Sequence, residues 1–310
     1  MSEDLRTPET DVLHPSGKNI NWNESFYFNL YDKKEDICAF MRIGLKPNIK
    51  EKSMLCFFMM PDGSSVGTRS EEEFKDSSLS VDGLSFKRIQ PEKEWRLEYK
   101  GRLKRTLGDE THREDVSFNL GYQSICRTFD YRECWPANRE LESIEAAGEH
   151  TEQFGKILGT ARIGNTDYSL EGLGERDHSW GVRDWIAPNM WIWLSCQFSG
   201  KLAFNVTKLI LGKEVVDAGY VHIDGENRPI VKAFIDTTVQ KSGAPLSLKI
   251  SLLEKGREVH EIQATVMRTV KVPFSGISEK SVPVMYESLA KYRKGNEVGY
   301  GIAEHLVRRI

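Results

Sequence analysis

The sequence predicts an all-β fold of two antiparallel β domains, each a sandwich or an up-and-down barrel. Apolar and polar residues alternate along most of the 310 residues, which is the period of a half-buried strand. Clusters of Gly, Pro, Asn and Asp separate roughly ten such segments in each half, as expected for these architectures. The length exceeds one typical domain, and each half is large enough to bury its own core.

The first half contains a predicted hairpin and four further strands. In residues 25–31 (SFYFNLY), Phe26, Phe28 and Leu30 share one face. The polar segment 32–36 (DKKED) predicts a turn, after which the chain returns as a strand over 37–45. The remaining strands are predicted at 54–60, 79–89, 94–103 and 116–122.

Residues 136–147 (PANRELESIEAA) interrupt the alternation. They begin with proline and continue with good helix formers, which predicts a short helix. We therefore expect one β domain over residues 1–140 and a second over 141–310.

The second half returns to strand periodicity. Strands are predicted at 153–163, 166–173, 190–198, 202–211, 215–223, 229–236, 246–254, 259–270 and 298–306. A second short helix is predicted over 284–292, because Met285 and Leu289 are four residues apart.

Composition excludes several classes of function. Lys and Arg total 43 against 46 Asp and Glu, a net charge of −3, which argues against nucleic acid as a partner. No apolar run approaches the roughly 20 residues of a membrane helix, and the start has no signal-peptide pattern. The five cysteines form no CxxC pair, so we expect free thiols in a bacterial or archaeal cytoplasm. A homodimer is one open option for the oligomeric state.

Residues 172–193 (GLGERDHSWGVRDWIAPNMWIW) concentrate charged and aromatic side chains and hold four of the seven tryptophans. In an extended chain, Asp177 and His178 point to opposite faces. If Asp177 enters a cavity walled by Trp191 and Trp193, burial raises its pKa and makes it a general acid. We therefore expect Asp177 to donate a proton and His178 to place water or set the local field.

A structural role for the same segment is a serious alternative. One end of a barrel can be closed by an arginine packed across a tryptophan, and Trp180 with Arg183, or Trp185 with Arg176, would serve as such a plug. Asp184 would then pair with the guanidinium group.

The strand at 191–198 predicts a ligand-facing wall. Alternation places Trp191, Trp193, Ser195 and Gln197 on one face. The other face carries Ile192, Leu194, Cys196 and Phe198 and suits a core.

Three weaker candidates lie elsewhere. His150 and Glu152 share a face of their predicted strand, Glu304 lies on the last strand, and Tyr286 with Glu287 could contact a ligand. No phosphate loop, HExxH metal helix or GxSxG nucleophile elbow is present. No organic cofactor and no metal site are therefore expected.

Three motifs resemble one known family in the same order. They are G-x-G-x-x-D-H-x-W-G at 172–181, W-x-W-x-x-x-Q at 191–197, and GYGIAE at 299–304. They are similar to those of the carotenoid hydratase (hydroxyneurosporene synthase) and AttH-like family. This resemblance implies two consecutive lipocalin-like domains, with the RDHSWG motif in the second, and a relationship to hydratases of isoprenoid double bonds and to cyclases.

We accordingly expect a cofactor-independent hydratase, isomerase or cyclase for a terpenoid-, steroid- or polyketide-like molecule. The alternative is a lipocalin-like carrier of an apolar small molecule. Asp177 and His178 are the expected catalytic residues. The expected substrate-binding residues are Trp180, Arg183, Trp185, Trp191, Trp193, Gln197, Glu152 and Glu304.

Overall fold

The computed structural model describes residues 11–135, 149–183, 188–272 and 283–307. These residues form nineteen β-strands, and the only helical segments among them are short 3-10 turns at Pro47–Ile49 and Tyr131–Cys134. The all-β prediction is confirmed. Within the same ranges, no helix has the length and apolar character needed to cross a membrane.

The chain divides into two compact units. The first comprises Met1–Asp130 and Gly148–Arg183, and the second Tyr131–Ala147 and Asp184–Ile310. Strands of the first unit are β1 (Trp22–Asp32), β2 (Ile37–Lys46), β3 (Glu51–Met59), β4 (Ser65–Glu73), β5 (Ser80–Val81), β6 (Leu84–Gln90), β7 (Glu94–Leu107), β8 (Glu110–Ser124), β9 (Phe129–Asp130), β10 (Glu149–Ile163) and β11 (Thr166–Val182).

The first unit is one antiparallel sheet in the order β4-β3-β2-β1-β11-β10-β8-β7-β6-β5, with β9 added beside β10. Residues 65–67 of β4 also pair with residues 104–106 of β7. This contact joins eight strands in a ring. Its interior is apolar and includes Phe26, Phe28, Phe58, Trp95 and Tyr122.

Asp32 fixes the first hairpin and connects it to β11. Its Oδ1 accepts hydrogen bonds from the backbone N–H groups of Lys34 (2.7 Å) and Glu35 (3.0 Å). Its Oδ2 accepts a hydrogen bond from the backbone N–H of Glu171, with 2.8 Å between nitrogen and oxygen. Asp36 completes the turn with φ of 52°, a conformation that Asp tolerates better than most residues.

The second unit is a closed barrel of eight consecutive antiparallel strands. They are β12 (Met190–Gln197), β13 (Leu202–Leu211), β14 (Glu214–Ile223), β15 (Glu226–Val239), β16 (Pro245–Glu254), β17 (Val259–Val272), β18 (Val284–Lys294) and β19 (Glu297–Val307). Its core includes Leu194, Phe204, Val221, Ile250 and Tyr292.

The boundary between the units differs from the expected one at residue 140. β10 pairs with β8, and β11 pairs with β1. These long-range pairings place residues 148–183 in the first unit. The RDHSWG motif therefore belongs to the first unit rather than the second.

The helix predicted at 284–292 is wrong, because these residues form β18. A spacing of four puts Met285 and Leu289 on one face of a strand as well as of a helix. Seven consecutive residues from Val284 are buried, so no polar alternation indicated the strand.

The helix predicted at 136–147 lies outside the described residues. β4 was missed because its sequence, SVGTRSEEE, has no apolar face.

Glycines of two motifs allow close approach of neighbouring strands. A Cβ atom at Gly174 would lie 1.8 Å from the carbonyl oxygen of Asn29 on β1. A Cβ atom at Gly301 would lie 1.9 Å from the carbonyl oxygen of Ser195 on β12. Both distances are far below van der Waals contact, so side chains there would push the strands apart.

We predict that Gly174→Ala destabilises the protein by about 1–3 kcal/mol, because backbone must move to admit the methyl group. Gly121→Ala is the matched control, since its Cβ would lie 3.8 Å from the nearest atom. Urea unfolding measures both. Equal stability of the two variants would show that β1 and β11 are not tightly apposed.

Candidate functional site

Strand β11 presents charged groups on both faces of the first sheet. Arg176 and His178 lie on the face of the apolar interior, where they contact Trp95 and Phe26 respectively. Asp177 lies on the opposite face, directly across from Tyr27 of β1 and Glu152 of β10. The expected opposition of Asp177 and His178 is thus confirmed.

The inner group consists of His14, Glu24 and His178. Oε1 of Glu24 is 2.8 Å from Nδ1 of His14 and 2.9 Å from Nε2 of His178. Burial raises the pKa of Glu24, but hydrogen bonds from both histidines lower it below its ordinary value. The His14 ring stacks on Trp180 at 3.8 Å and the His178 ring on Phe26 at 3.9 Å, measured between ring centroids. The inner group is a hydrogen-bonded cluster lined by aromatic rings.

Arg176 is 2% exposed and forms a second ionic contact inside the sheet. It pairs with Asp11 at 2.5 Å, and its Nε donates to Oε1 of Gln153 at 2.6 Å. Its guanidinium carbon is 5.9 Å from the centroid of the Trp95 ring. An arginine does pack near a tryptophan here, but the partner is Trp95. Trp185, the partner considered from the sequence, lies outside the described residues.

The outer group consists of His150, Glu152 and Asp177. Nε2 of His150 lies 2.9 Å from Oε1 of Glu152 and 2.9 Å from Oδ2 of Asp177. The side chains of His150 and Glu152 are 4% and 0% exposed, whereas Asp177 is 17% exposed. One imidazole nitrogen therefore lies between two carboxylates, and Asp177 is the most accessible member.

Electrostatics give this group its protonation state. Burial lowers the pKa of His150, but the charges and hydrogen bonds of Asp177 and Glu152 raise it overall to about 9. Burial raises the pKa of Asp177, but His150, followed by Arg183 and Arg42, lowers it overall. The expectation of a protonated Asp177 is wrong, because the opposite charge beside it outweighs desolvation.

Polar side chains flank the outer group. Ser25 and Ser179 lie across from each other on β1 and β11, with their hydroxyl oxygens 3.1 Å apart. Ser179 also lies directly across from His150. Oδ1 of Asp177 is buried and has no hydrogen-bond partner among the described residues. Buried polar atoms are nearly always hydrogen-bonded in folded proteins, so this oxygen needs an explanation.

Strand β12 follows the predicted alternation. Ile192, Leu194 and Cys196 belong to the core of the barrel, and Phe198 packs against it. Trp191, Trp193 and Gln197 lie on the opposite face and are also buried. That they line a ligand cavity remains a prediction.

Two carboxyl groups meet on neighbouring strands of the barrel. Glu304 of β19 lies across from Glu287 of β18 on one side and from Trp193 on the other. Burial, the charge of Glu304 and the hydrogen bond that protonated Glu287 donates to it raise the pKa of Glu287 well above its ordinary value. The protonated acid expected at Asp177 is therefore found at Glu287.

Among the described residues, three sets of side chains are close enough to hold a metal ion, each with its ligand atoms within 4.8 Å of one another. Two are the inner and outer groups. The third is formed by Glu254, Glu258 and His260. Mixed imidazole and carboxylate donors suit several divalent ions. The sequence indicated none of these sets, because their members are brought together by strand pairing.

The expected site residues fall into separate places. Asp177 and Glu152 lie together in the outer group, whereas His178 and Trp180 lie at the inner group. Arg183 is buried, close enough for its charge to lower the pKa of Asp177. The other four described residues, Trp191, Trp193, Gln197 and Glu304, belong to the second unit.

Sequence reasoning missed two members of the inner group. Glu24 shares a strand face with Trp22 and Phe26, and a carboxylate on an apolar face was a usable signal. His14 precedes β1 and had no such signal.

The chain belongs to the family described as Domain of unknown function (DUF7064), whose sequence model matches residues 7–309. In sequence, the chain matches no curated protein.

Solved structures share the fold at low sequence identity. A putative AttH from Nitrosomonas europaea is 11% identical with a TM-score of 0.64, covering 96% of this chain and 98% of that one. CghA with Sch210972 is 10% identical with a TM-score of 0.62, covering 98% and 96%. Kievitone hydratase from Nectria haematococca is 10% identical with a TM-score of 0.60, covering 97% and 94%. The expected resemblance to the AttH and carotenoid hydratase fold is confirmed.

We predict that the outer group makes stability depend on pH. Because the folded-state pKa of His150 is about 9 against an ordinary 6.5, its charge stabilises the fold fully below about pH 6.5. This contribution, on the order of 3 kcal/mol, is lost as pH rises through about 9. Urea unfolding between about pH 6 and pH 10 measures it.

The same titration of His150→Gln should lack this pH-dependent loss of stability. Asp167→Asn is a control for a charge change on the neighbouring strand β11, since Asp167 is exposed and pairs only with Arg162 among the described residues. Parallel curves for wild type and His150→Gln would contradict a charged His150.

Proposed function

We propose that this member of the DUF7064 family is an enzyme that adds water to, or closes a ring in, an apolar small molecule. The outer group would carry the proton transfers. The observation that supports this most is His150 held between Glu152 and Asp177, with Asp177 the most accessible of the three. The name kievitone hydratase of one similar structure agrees with hydration as the reaction.

Buried ion pairs can be purely structural, but an unpaired carboxylate oxygen distinguishes this one. A structural pair satisfies both carboxylate oxygens. Asp177 instead keeps Oδ1 buried without a hydrogen-bond partner among the described residues. An acid and a base in contact, both with shifted pKa values and with one carboxylate oxygen unpaired, are the arrangement expected of a proton-transfer site.

The protonation states assign the roles. Asp177 is ionised, so it acts as the general base and takes a proton from water while the water oxygen bonds to a carbon of the substrate double bond. His150 is charged, so it donates a proton to the other end of the polarised bond system. Proton transfer from Asp177 to His150 then restores both groups, and the net reaction consumes one water.

The acidity of His150 restricts the substrate class. A donor with a pKa of about 9 is too weak to protonate an isolated alkene at a useful rate. It can protonate the enolate that forms when water adds to a double bond conjugated to a carbonyl group. The substrate is therefore an oxygenated, conjugated member of the terpenoid, steroid or polyketide class, and not a plain hydrocarbon.

Three of the remaining expected residues keep supporting roles in this proposal. His178, on the opposite face of β11, would influence Asp177 through its electrostatic field. The positive charge of Arg183 would help to keep Asp177 ionised. The indole of Trp180 would contact an apolar part of the substrate. The expected substrate-binding residues of the second unit, among them Trp193 and Glu304, are not assigned to this reaction. No organic cofactor is needed for the steps as written.

A carrier of apolar molecules is the second candidate, supported by the buried indoles of Trp191 and Trp193. A carrier needs those indoles but has no need of an ionised Asp177 beside a charged His150. The two candidates therefore differ in what a change at Asp177 does to turnover and to binding.

We predict that Asp177→Asn lowers kcat by about a hundredfold to ten-thousandfold, because the amide cannot accept the proton of water. Purified protein is incubated in H₂¹⁸O with a panel of conjugated enones of terpenoid and polyketide type. Mass spectrometry then detects the added oxygen, or an isomer without it where a ring closes. Asp167→Asn, exposed on the same strand, should keep full activity.

Ligand binding, measured apart from turnover, distinguishes the enzyme from the carrier. Quenching of tryptophan fluorescence by the same enones should be nearly equal in wild type and Asp177→Asn. Binding by both proteins with no turnover by wild type would favour the carrier. Full turnover by a folded Asp177→Asn would remove Asp177 from the mechanism.

A further inference from the structure

The second unit holds a carboxylic acid in an apolar setting that the proposed reaction does not use. Glu287 is 1% exposed. Its neighbours two residues away along β18 are Met285 and Leu289, and Val270 lies across from it on β17. All three neighbours are buried. A charged carboxylate is poorly stabilised in such surroundings.

Glu304 supplies the second half of this site. It lies directly across from Glu287, so that two carboxyl groups share one position of an antiparallel ladder. Two carboxylates on directly opposite residues repel each other, and ionising both would cost a large electrostatic free energy. The pair therefore holds one proton. Since Glu304 is partly exposed and Glu287 is not, the proton resides on Glu287.

A second observation shows that this acid is incompletely satisfied. One oxygen of Glu287 faces Glu304, whereas Oε2 is buried with no hydrogen-bond partner among the described residues. Buried polar atoms are nearly always hydrogen-bonded, so an exception needs an explanation. A ligand atom that pairs with this oxygen provides one.

The site also has an aromatic side. Trp193 of β12 lies across from Glu304 on the strand pair beside it, and its indole is buried. The segment after β9 borders the same face, because the Tyr131 hydroxyl bonds to Oδ1 of Asn205 (2.7 Å) and contacts Oγ1 of Thr207 (3.0 Å). Thr207 in turn lies across from Trp193.

We propose that Glu287, Glu304 and Trp193 form a binding site in the second unit for an apolar molecule that carries a neutral hydrogen-bond donor, such as a hydroxyl group. The proton of Glu287 is donated to Glu304, so the unpaired Oε2 of Glu287 accepts a hydrogen bond from that hydroxyl group, and the indole contacts the apolar body. An anionic ligand is excluded by the charge of Glu304. This inference does not rest on the proposed function, since neither Asp177 nor His150 takes part.

Dicyclohexylcarbodiimide tests both properties of this site. This apolar reagent reacts with a protonated carboxyl group that it can reach: the acid proton passes to a carbodiimide nitrogen, and the carboxyl oxygen bonds to the central carbon. The full-length protein is treated at neutral pH, and peptide mass spectrometry locates the adduct. We expect labelling at Glu287 and none at Glu110, which is exposed on β8.

β-Ionol, an apolar alcohol, is the probe ligand. At about ten times its Kd it should slow the labelling of Glu287 about tenfold, because most of the protein is then occupied. Glu287→Gln should bind β-ionol with nearly wild-type affinity, since its amide nitrogen can donate to Glu304 while its oxygen still accepts from the ligand, whereas Glu287→Leu should bind it several-fold to about tenfold more weakly.

An unlabelled Glu287 would overturn the proposal, because the acid would then be ionised or closed to apolar molecules. Labelling that β-ionol does not slow would overturn the proposed ligand class. The labelling is measured on the wild-type chain, so it remains decisive if either variant fails to fold. Activity of the outer group has no influence on either result.

Discussion

The pairing of β11 with β1 on one side and β10 on the other determines the arrangement of charge in the first unit. Because side chains alternate along β11, Arg176 and His178 face the apolar interior while Asp177 faces outward. Each of these side chains is then matched by a group from another strand or from the segment before β1: Asp11 for Arg176, Glu24 for His178, and His150 for Asp177. A shift of register by one residue would exchange the two faces and separate each of these side chains from its partner.

Burial and neighbouring charge together give Asp177 and Glu287 opposite protonation states. Asp177 and Glu287 are both desolvated, and desolvation alone would keep both protonated. Asp177 lies against the charged His150 and is ionised, whereas Glu287 lies against Glu304 and is neutral. The same kind of side chain is thus ionised in the first unit and neutral in the second, and the sign of the neighbouring charge decides which.

Local features of the sequence predicted local structure well. Alternation over 191–198 correctly separated Trp191 and Trp193 from Ile192 and Leu194, and it also placed Asp177 and His178 on opposite faces. The unit boundary could not be derived in this way, because it depends on β10 and β11 pairing with distant β8 and β1. The protonation state of Asp177 depended on His150, 27 residues earlier in the chain, and only the register of β10 against β11 brings them together. Residues 284–292 fit a helix and a strand equally, since both of their faces are buried.

The central claim is that His150 is a cation held between two carboxylates, and nitrogen NMR of the imidazole tests it most directly. Protein labelled with ¹⁵N-histidine is titrated across neutral and alkaline pH, and the His150 signals are assigned by their loss in His150→Gln. The account predicts that both ring nitrogens of His150 are protonated at neutral pH and that the ring titrates near 9. A neutral ring at the same pH, titrating at or below its ordinary value of 6.5, would contradict the account and leave Asp177 without the charge that keeps it ionised.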